Sequence, residues 1–256
     1  MTYEPHDEAW AKWIEALQRR HLADLRVQEV TRALRSLSSL YVERRGALGR
    51  GAALDSAGKR AAFALFYGPL HYLVTRHVVG EVAAADPAID RVVDLGCGTG
   101  AAGAAWAGAL GPLRPRVLGI DRHPWAVSEA RWTYAAFGLD GDAREGDVGR
   151  ARFRPRRTAV ALAFTVNELL AASRDVLLER LMRDANAGAR VLVIEPVARS
   201  VGSWWNDWSR TFRQAGGRED AWRFEARLPQ IVRILDRAAG LDHRVLTARS
   251  LYLAAG

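Results

Sequence analysis

The sequence predicts an α/β protein in which helices cover both faces of a parallel sheet and an N-terminal helical cap precedes that sheet. Three observations support this prediction. Strand-like and helix-like segments alternate from about residue 91 to residue 195, as is typical of parallel sheets. A glycine-rich turn joins the first strand to the first helix there. Residues 1–88 have only helical periodicity, so we predict a cap over 1–88 and a sheet domain over 89–256.

The cap is predicted from apolar residues that recur every three or four positions. Trp10, Trp13, Ile14 and Leu17 have this spacing, and a second helix continues it. Residues 46–58 contain four glycines and are predicted to form a loop. A further helix is predicted to start near Pro69, because proline is favoured in a first helical turn.

The sheet domain is predicted from alternating apolar strands and longer helical segments. We also expect a helix over 204–212, a helix over 228–239 and a closing hairpin within 243–254. The other predicted strands are 91–95, 116–121, 142–145, 158–164 and 190–195, and the other predicted helices are 101–110, 124–137 and 167–184.

Composition limits the class of protein. The chain has 256 residues and 49% hydrophobic residues, which is ordinary for a globular protein. It lacks an uncharged apolar run of about 18 residues, so no membrane span is expected. The acidic start of the chain does not resemble a signal peptide. One cysteine excludes an intramolecular disulfide and an all-cysteine metal site; we predict no metal site and a cytoplasmic location.

The segment Val92–Gly100 predicts a nucleotide-type binding corner. It reads Val-Val-Asp-Leu-Gly-Cys-Gly-Thr-Gly and precedes an alanine-rich helix. Glycines permit a tight turn and a close ligand, and a helix N-terminus offers unpaired N–H groups. Gly98–Gly103 also matches the dinucleotide fingerprint, with Asp121 downstream. Asp94 favours S-adenosylmethionine (SAM) over a dinucleotide, because a carboxylate repels pyrophosphate but suits the ammonium group of SAM.

The run Asp94–Gly100 resembles the first motif of class I SAM-dependent methyltransferases, with Cys97 at its freely variable position. The resemblance implies the Rossmann-like sheet of that family and SAM as the cofactor. Asp121 follows the second strand, where an acid can bind both ribose hydroxyls; its alternative role is a helix N-cap. Asp147 resembles the acid of the third motif, which bonds the adenine amino group; its alternative is a plain turn. The predicted cofactor-binding residues are Asp94, Gly96, Cys97, Gly98, Gly100, Asp121, Arg122, Asp147, Val148 and Phe164.

Polar residues after the fourth and fifth strands are the candidates for catalysis. Asn167 and Glu168 follow the fourth strand, and Glu195 ends the fifth. Methyl transfer requires mainly that the nucleophile be positioned, with a base only where a proton must leave. Asn167 and Glu168 can instead begin a helix. Tyr67, His71 and Tyr72 are predicted on the substrate side, with core packing as the alternative.

Two short segments resemble a narrower family, the small-ribosomal-subunit methyltransferase-like proteins of mitochondrial and bacterial ribosome assembly. These are Asn167–Leu169 and Leu192–Pro196. Many members of that family carry a cysteine cluster for an iron–sulfur centre. This chain has Cys97 alone, so that metal site does not carry over.

Positive charge makes RNA a candidate partner. The net charge is +8, and an excess of arginine favours polyanions. Arg150, Arg152, Arg154, Arg156 and Arg157 are expected beside the adenine pocket, either as an RNA or ribosomal-subunit contact or as a solvated loop. The sequence thus favours a SAM-dependent methyltransferase acting on ribosomal or other structured RNA. The alternatives are a small-molecule methyltransferase and a non-catalytic SAM-binding assembly factor.

Overall fold

The computed structural model describes residues 2–3, 8–43, 54–197 and 204–254. The helices are α1 (Glu8–His21), α2 (Val27–Glu43), α3 (Ala57–Ala62), α4 (Gly68–Glu81), α5 (Ala101–Ala109), α6 (Pro124–Ala136), α7 (Ala171–Asn186), α8 (Trp204–Gln214) and α9 (Gln230–Ala239). The strands are β1 (Arg91–Leu95), β2 (Arg116–Asp121), β3 (Gly141–Glu145), β4 (Thr158–Ala163), β5 (Arg190–Glu195), β6 (Arg218–Glu225) and β7 (Val245–Leu253). A π-helical turn, Phe63–Tyr67, joins α3 to α4.

The strands form one seven-stranded sheet in the order β3-β2-β1-β4-β5-β7-β6. Strands β1 to β5 are parallel to one another, and β7 is antiparallel to both β5 and β6. The chain leaves β1 towards β2 on one side and reaches β4 on the other. This switch point opens a crevice at the carboxyl ends of β1 and β4, where ligands bind in open α/β sheets.

Helices cover both faces of the sheet. One core joins the cap, including α4, with α5, α6 and α9 and uses Val92 and Ala161 from the strands. The other core lies beneath α7 and α8 and uses the alternate strand residues Val93 and Val160. Side chains alternate between the faces of a strand, so neighbouring residues enter different cores. The predicted α/β fold with helices on both faces is confirmed.

The closing hairpin differs from the prediction. Strand β7 pairs along its length with β6, which lies before α9 rather than within 243–254. The segment Arg218–Glu225 alternates polar residues with Trp222 and Phe224, and this period of two is the signal that sequence reasoning missed. Helix α7 begins at Ala171 rather than residue 167, because Val166–Glu168 forms a 3₁₀ turn first.

The cap packs directly on the sheet domain. Helix α4 lies against α5, and the indole nitrogen of Trp106 donates to the carbonyl of Ala84 over 3.1 Å. The predicted domain boundary at residues 88 and 89 therefore lies within one continuous apolar core. Most of the predicted 46–58 loop is outside the described residues. In the described part of the chain, every helix is too short or too polar to cross a lipid bilayer.

Candidate functional site

The glycine loop after β1 has backbone conformations that other residues rarely adopt. Gly96, Gly98 and Gly100 have φ values of 74°, 51° and 77°. A Cβ on Gly96 would lie 2.3 Å from Cγ2 of Thr165, and one on Gly98 would lie 3.3 Å from the ring of Phe63. The loop is thus held between the end of β4 and the cap. Gly96, Cys97 and Gly98 line a cavity of about 720 Å³. Gly100 lies outside this lining and is the N-cap residue of α5.

Asp94 lies beneath this loop rather than in the cavity wall. Its side chain is 1% exposed, and Oδ2 accepts a hydrogen bond of 2.8 Å from the backbone N–H of Gly103. Burial raises the pKa of Asp94 to about 7, and the nearby carboxylate of Asp121 also raises it. The observed contact of Asp94 is with the first turns of α5. Its predicted contact with the SAM ammonium group stays a prediction.

Asp121 faces the cavity and organises two backbone groups. Its Oδ2 accepts from the N–H of Gly98 over 2.9 Å, and Oδ1 accepts from the N–H of His123 over the same distance. A carboxylate has about four acceptor positions, so each oxygen can accept a further bond. The N-cap of α6 is His123, whose ring accepts from the N–H of Trp125. The N-cap role that was the alternative for Asp121 therefore belongs to His123. Arg122, the next residue, also lines the cavity.

The segment after β3 contributes Val148 to the cavity but not Asp147. Asp147 is exposed, and its Oδ1 accepts a hydrogen bond of 2.8 Å from the N–H of Gly149. This is the turn geometry that was the alternative to an adenine contact. The adenine role of Asp147 stays a prediction.

Aromatic side chains from the cap and from the residue after β4 form another part of the cavity wall. His71 stacks on Phe164 with ring centres 4.1 Å apart, and Tyr67 and Phe63 lie 6.0 and 6.2 Å from His71. We call these four residues the aromatic wall. Burial lowers the pKa of His71 to about 3, so the imidazole is neutral. Phe164 has a left-handed φ of 60°, which is strain of the kind found at functional sites.

Tyr72 does not belong to this wall. It is fully buried and stacks between Trp10, at 4.6 Å, and Phe137, at 5.2 Å. Its predicted place on the substrate side is therefore wrong. Tyr72 follows His71 on α4, and successive residues of a helix point in different directions, so Tyr72 points into the core rather than into the cavity. Phe63 was missed by sequence reasoning. Its spacing of four residues from Tyr67, and of eight from His71, was the available signal.

The turn after β4 brings the catalytic candidates together. Asn167, Glu168 and Glu195 all line the cavity. Glu195 is fully buried, and its Oε1 accepts from the backbone N–H of Asn167 over 3.1 Å. Burial raises the pKa of Glu195 to about 8, with a smaller increase from Glu168. Glu168 is exposed to the cavity, but the protein that surrounds it removes much of its bulk solvent. This desolvation raises the pKa of Glu168 to about 7.

The arginine run is not a patch beside the cavity. All five arginines are exposed, but the segment runs from the carboxyl end of β3 to the amino end of β4. Arg156 and Arg157 therefore lie at the amino ends of the strands, away from the cavity at their carboxyl ends. There Arg157 pairs with Asp90 at 2.9 Å. The expectation that the whole run borders the adenine pocket is wrong. A connection between parallel strands must return from the carboxyl end of one strand to the amino end of the next.

Comparisons with known proteins agree with this architecture. Residues 92–188 match the family model of the methyltransferase domain. The chain is 31% identical over 135 residues to carboxy-S-adenosyl-L-methionine synthase of Chromohalobacter salexigens, covering 51% of this chain and 50% of that protein. It is 42% identical over 66 residues to ribosomal RNA small subunit methyltransferase C of the same organism, covering 26% of this chain and 19% of that protein. The chain thus spans half or less of these relatives.

Solved structures show the same fold. A SAM-dependent methyltransferase from Aquifex aeolicus has a TM-score of 0.50 and 19% identity, with 73% of this chain and 92% of that chain covered. The methyltransferase domain of bacterial CtHen1-CN has a TM-score of 0.51 and 11% identity, with 72% and 99% covered. The fold is that of the class I SAM-dependent methyltransferases. Within that class, residues 92–188 match the methyltransferase domain, which supports the predicted cofactor, SAM.

Proposed function

We propose that this chain is an active SAM-dependent methyltransferase whose methyl acceptor is a small molecule bound beneath the helical cap. SAM supplies an electrophilic methyl group on a sulfonium. The residues of the cavity fit it: the glycine loop leaves bare backbone at one wall, and Asp121 offers acceptor positions for the ribose hydroxyls. Arg122 and Val148 line the same side and would flank the adenine.

The lining of the cavity is the observation that supports a small acceptor. The lining combines the cofactor loops with cap residues such as Leu54, Tyr67 and Val74 and with residues 245–247 at the start of β7. Pockets of roughly 300–1,000 Å³ hold drug-sized ligands. The cavity measures about 720 Å³ and must hold SAM together with its acceptor, which limits the acceptor to a compact molecule. A helical cap and a strand on opposite sides leave space for a compact acceptor. Structured RNA needs a broad cationic surface instead.

RNA is the second candidate. The matched relative named ribosomal RNA small subunit methyltransferase C and the five exposed arginines favour it. Those arginines are divided between the carboxyl and the amino ends of the strands, which weighs against one continuous contact with RNA. The narrower resemblance to ribosome assembly proteins, including the non-catalytic alternative, rests on the two short segments named above.

Calorimetry and methyl transfer test this proposal together. We expect the protein to bind SAM and S-adenosylhomocysteine (SAH) but not NAD, and to transfer labelled methyl from SAM into a metabolite extract. Purified ribosomal subunits are the parallel substrate. Label in the subunits alone would replace the small-molecule assignment with RNA. SAM binding without label in either fraction would favour a non-catalytic protein, and absence of SAM binding would reject the function altogether.

A further inference from the structure

The carboxylates that line the cavity differ in what they already contact. Asp121 accepts from two backbone N–H groups, and Asp242 is held by Arg244 through contacts of 2.6 and 2.9 Å. Glu195 is buried and holds the turn after β4 through Asn167. The backbone N–H of Glu168 donates to the carbonyl of Thr165 over 3.1 Å. Among the described residues, no hydrogen bond or ion pair engages its carboxylate, although the residue is exposed and lines the cavity. Glu168 is therefore the exposed lining carboxylate that has no described side-chain partner, whereas Asp121 already organises two backbone groups.

The surroundings of Glu168 concentrate carboxyl groups. Asp121 from the end of β2 and Glu195 from the end of β5 both face it, and Arg122 is the cation that opposes them. Oε2 of Glu195 is buried and lacks a hydrogen-bond partner in the part of the chain that the structure describes. The carboxyl groups of these strand ends thus make an acidic region of the cavity, and a positively charged ligand group beside them would favour their ionised forms.

The aromatic wall completes this environment. Phe164 lies in the chain just before the turn that carries Glu168, and its ring is covered by His71. Because His71 is neutral, the wall adds no positive charge that would repel a cation. Aromatic faces attract cations and also cover hydrocarbon, and a carboxylate forms strong hydrogen bonds with an ammonium group. Aromatic rings and an unpaired carboxylate in the lining of one cavity are a combination that recognises an amine.

We propose that the methyl acceptor is a small molecule with a primary or secondary amine, whose nitrogen contacts Glu168 and whose apolar part packs against the aromatic wall. This inference rests on the proposed function. In the transfer step, the ammonium gives its proton to the Glu168 carboxylate. The nitrogen electron pair then forms the N–C bond, the C–S bond breaks and its electron pair stays on sulfur. The products are the methylated ammonium, SAH and a protonated Glu168, which returns its proton to the solvent in the cavity.

Binding of three matched probes to the SAH-loaded full chain tests this inference. Phenethylamine, 2-phenylethanol and phenylacetate share a ring and differ in their charge. By calorimetry at pH 8 we expect the amine to bind about tenfold more tightly than the alcohol, and the acid to bind most weakly. Similar affinities for amine and alcohol, or no binding of any probe, would overturn the inference.

Two variants show whether Glu168 is responsible. Glu168→Gln keeps the size of the side chain and is expected to remove the preference for the amine. Asp175→Asn makes the same change at an exposed position of α7 and should leave the preference intact. An unchanged preference in Glu168→Gln would contradict the role of this residue.

The same variant separates an acceptor contact from a cofactor contact. SAM carries a positive sulfonium and SAH does not, so a carboxylate that faces the sulfonium would favour SAM. We expect Glu168→Gln to change the affinities for SAM and SAH by less than about twofold. A selective loss of SAM affinity would assign Glu168 to the cofactor and reject the amine contact. Since SAM and SAH binding are measured directly, such a result would leave the proposed function standing.

Discussion

Three acids at the ends of three strands have three different environments. Asp94 is buried against α5, Asp121 faces the cavity, and Asp147 caps an exposed turn. Each of them lies at or just after the carboxyl end of a parallel strand. The direction of each side chain depends on the loop that comes next. Of the three, Asp121 is the one that lines the cavity.

Replacement of Asp121 should weaken cofactor binding without unfolding the protein. In Asp121→Asn the amide nitrogen cannot accept the hydrogen bond that one carboxylate oxygen accepts from Gly98 or His123. We expect SAM and SAH affinity to fall by about tenfold or more, since a charged acceptor is worth about 1.5–3 kcal/mol. Calorimetry measures the affinity, and thermal unfolding checks the fold. Asp140→Asn, at an exposed pair with Arg116, is the matched control; unchanged SAM affinity in Asp121→Asn would count against the ribose role.

The ionisation of Glu168 should appear in the pH dependence of methyl transfer. Its pKa is raised to about 7 by desolvation and by Asp121, against the opposing effect of Arg122. Glu195, itself near Arg249 on β7, is the other ionisable group that faces it. A base must be deprotonated, so the rate should rise as pH increases through about 7 and fall below it. Single-turnover rates from pH 5.5 to 8.5 measure this, and an identical profile in Glu168→Gln would exclude Glu168 as the base.

At the level of elements, the π-helical turn and helix α1 determine how the cap meets the sheet domain. The turn Phe63–Tyr67 and the start of α4 place Phe63, Tyr67 and His71 along the cavity. Helix α1 is fastened to α6 through Glu129, which is fully buried. Its Oε1 lies 2.6 Å from Nε2 of His21, and its Oε2 lies 3.1 Å from Nε of Arg20. Helix α6 begins with Pro124 in the cavity lining, so this contact connects the cap to the cofactor side.

Loss of the His21 contact should destabilise the protein. His21→Ala leaves the buried Glu129 carboxylate with one described partner, and an incompletely paired buried charge is costly. We expect a loss of about 2–4 kcal/mol in the free energy of unfolding, measured by urea denaturation. Lys12→Ala is the comparison, because the Lys12–Glu8 pair on the same helix is exposed and should contribute less than about 1 kcal/mol. Equal effects of the two substitutions would show that the buried pair adds nothing specific.

At the scale of the whole molecule, the cap and the sheet domain share one core. The apolar cluster on one sheet face runs from Trp13 through Leu73 and Trp106 to Ala161. Trp106 is fully buried and bonds to Ala84, which precedes β1. We therefore infer that the cap folds together with the sheet domain.

Removal of the cap should abolish cooperative folding. A fragment of residues 89–256 would expose the face of α5 that α4 covers, including Trp106. We expect it to lose its near-UV circular dichroism and to bind hydrophobic dyes, as molten globules do. A fragment that begins at Leu54 keeps α4 and should retain cooperative unfolding at lower stability. Native spectra and cooperative unfolding of the 89–256 fragment would instead establish two independent domains.

Local sequence was sufficient for much of the fold and for the cofactor loop. Strands β1, β2, β4 and β5 and the glycine turn are specified by adjacent residues, because apolar periodicity and a positive φ are local requirements. Strand β6 was missed because an edge strand carries polar residues on its open side. Helix α7 was placed early because the residues of a 3₁₀ turn resemble those of a helical first turn.

By itself, the sequence determined the parallel sheet, its glycine corner and the acids that follow its strands. Only the tertiary structure decided which of these acids face the cavity and that Tyr72 belongs to the core. It also decided that the arginine run is divided between the carboxyl and the amino ends of the strands. These properties depend on contacts between residues that are distant in the chain, such as the stack of His71 on Phe164. The environment of Glu168 is also of this kind, because Asp121, Arg122 and Glu195 approach it from the ends of other strands. Burial and charge at a site are sums over such neighbours, and local patterns do not contain them.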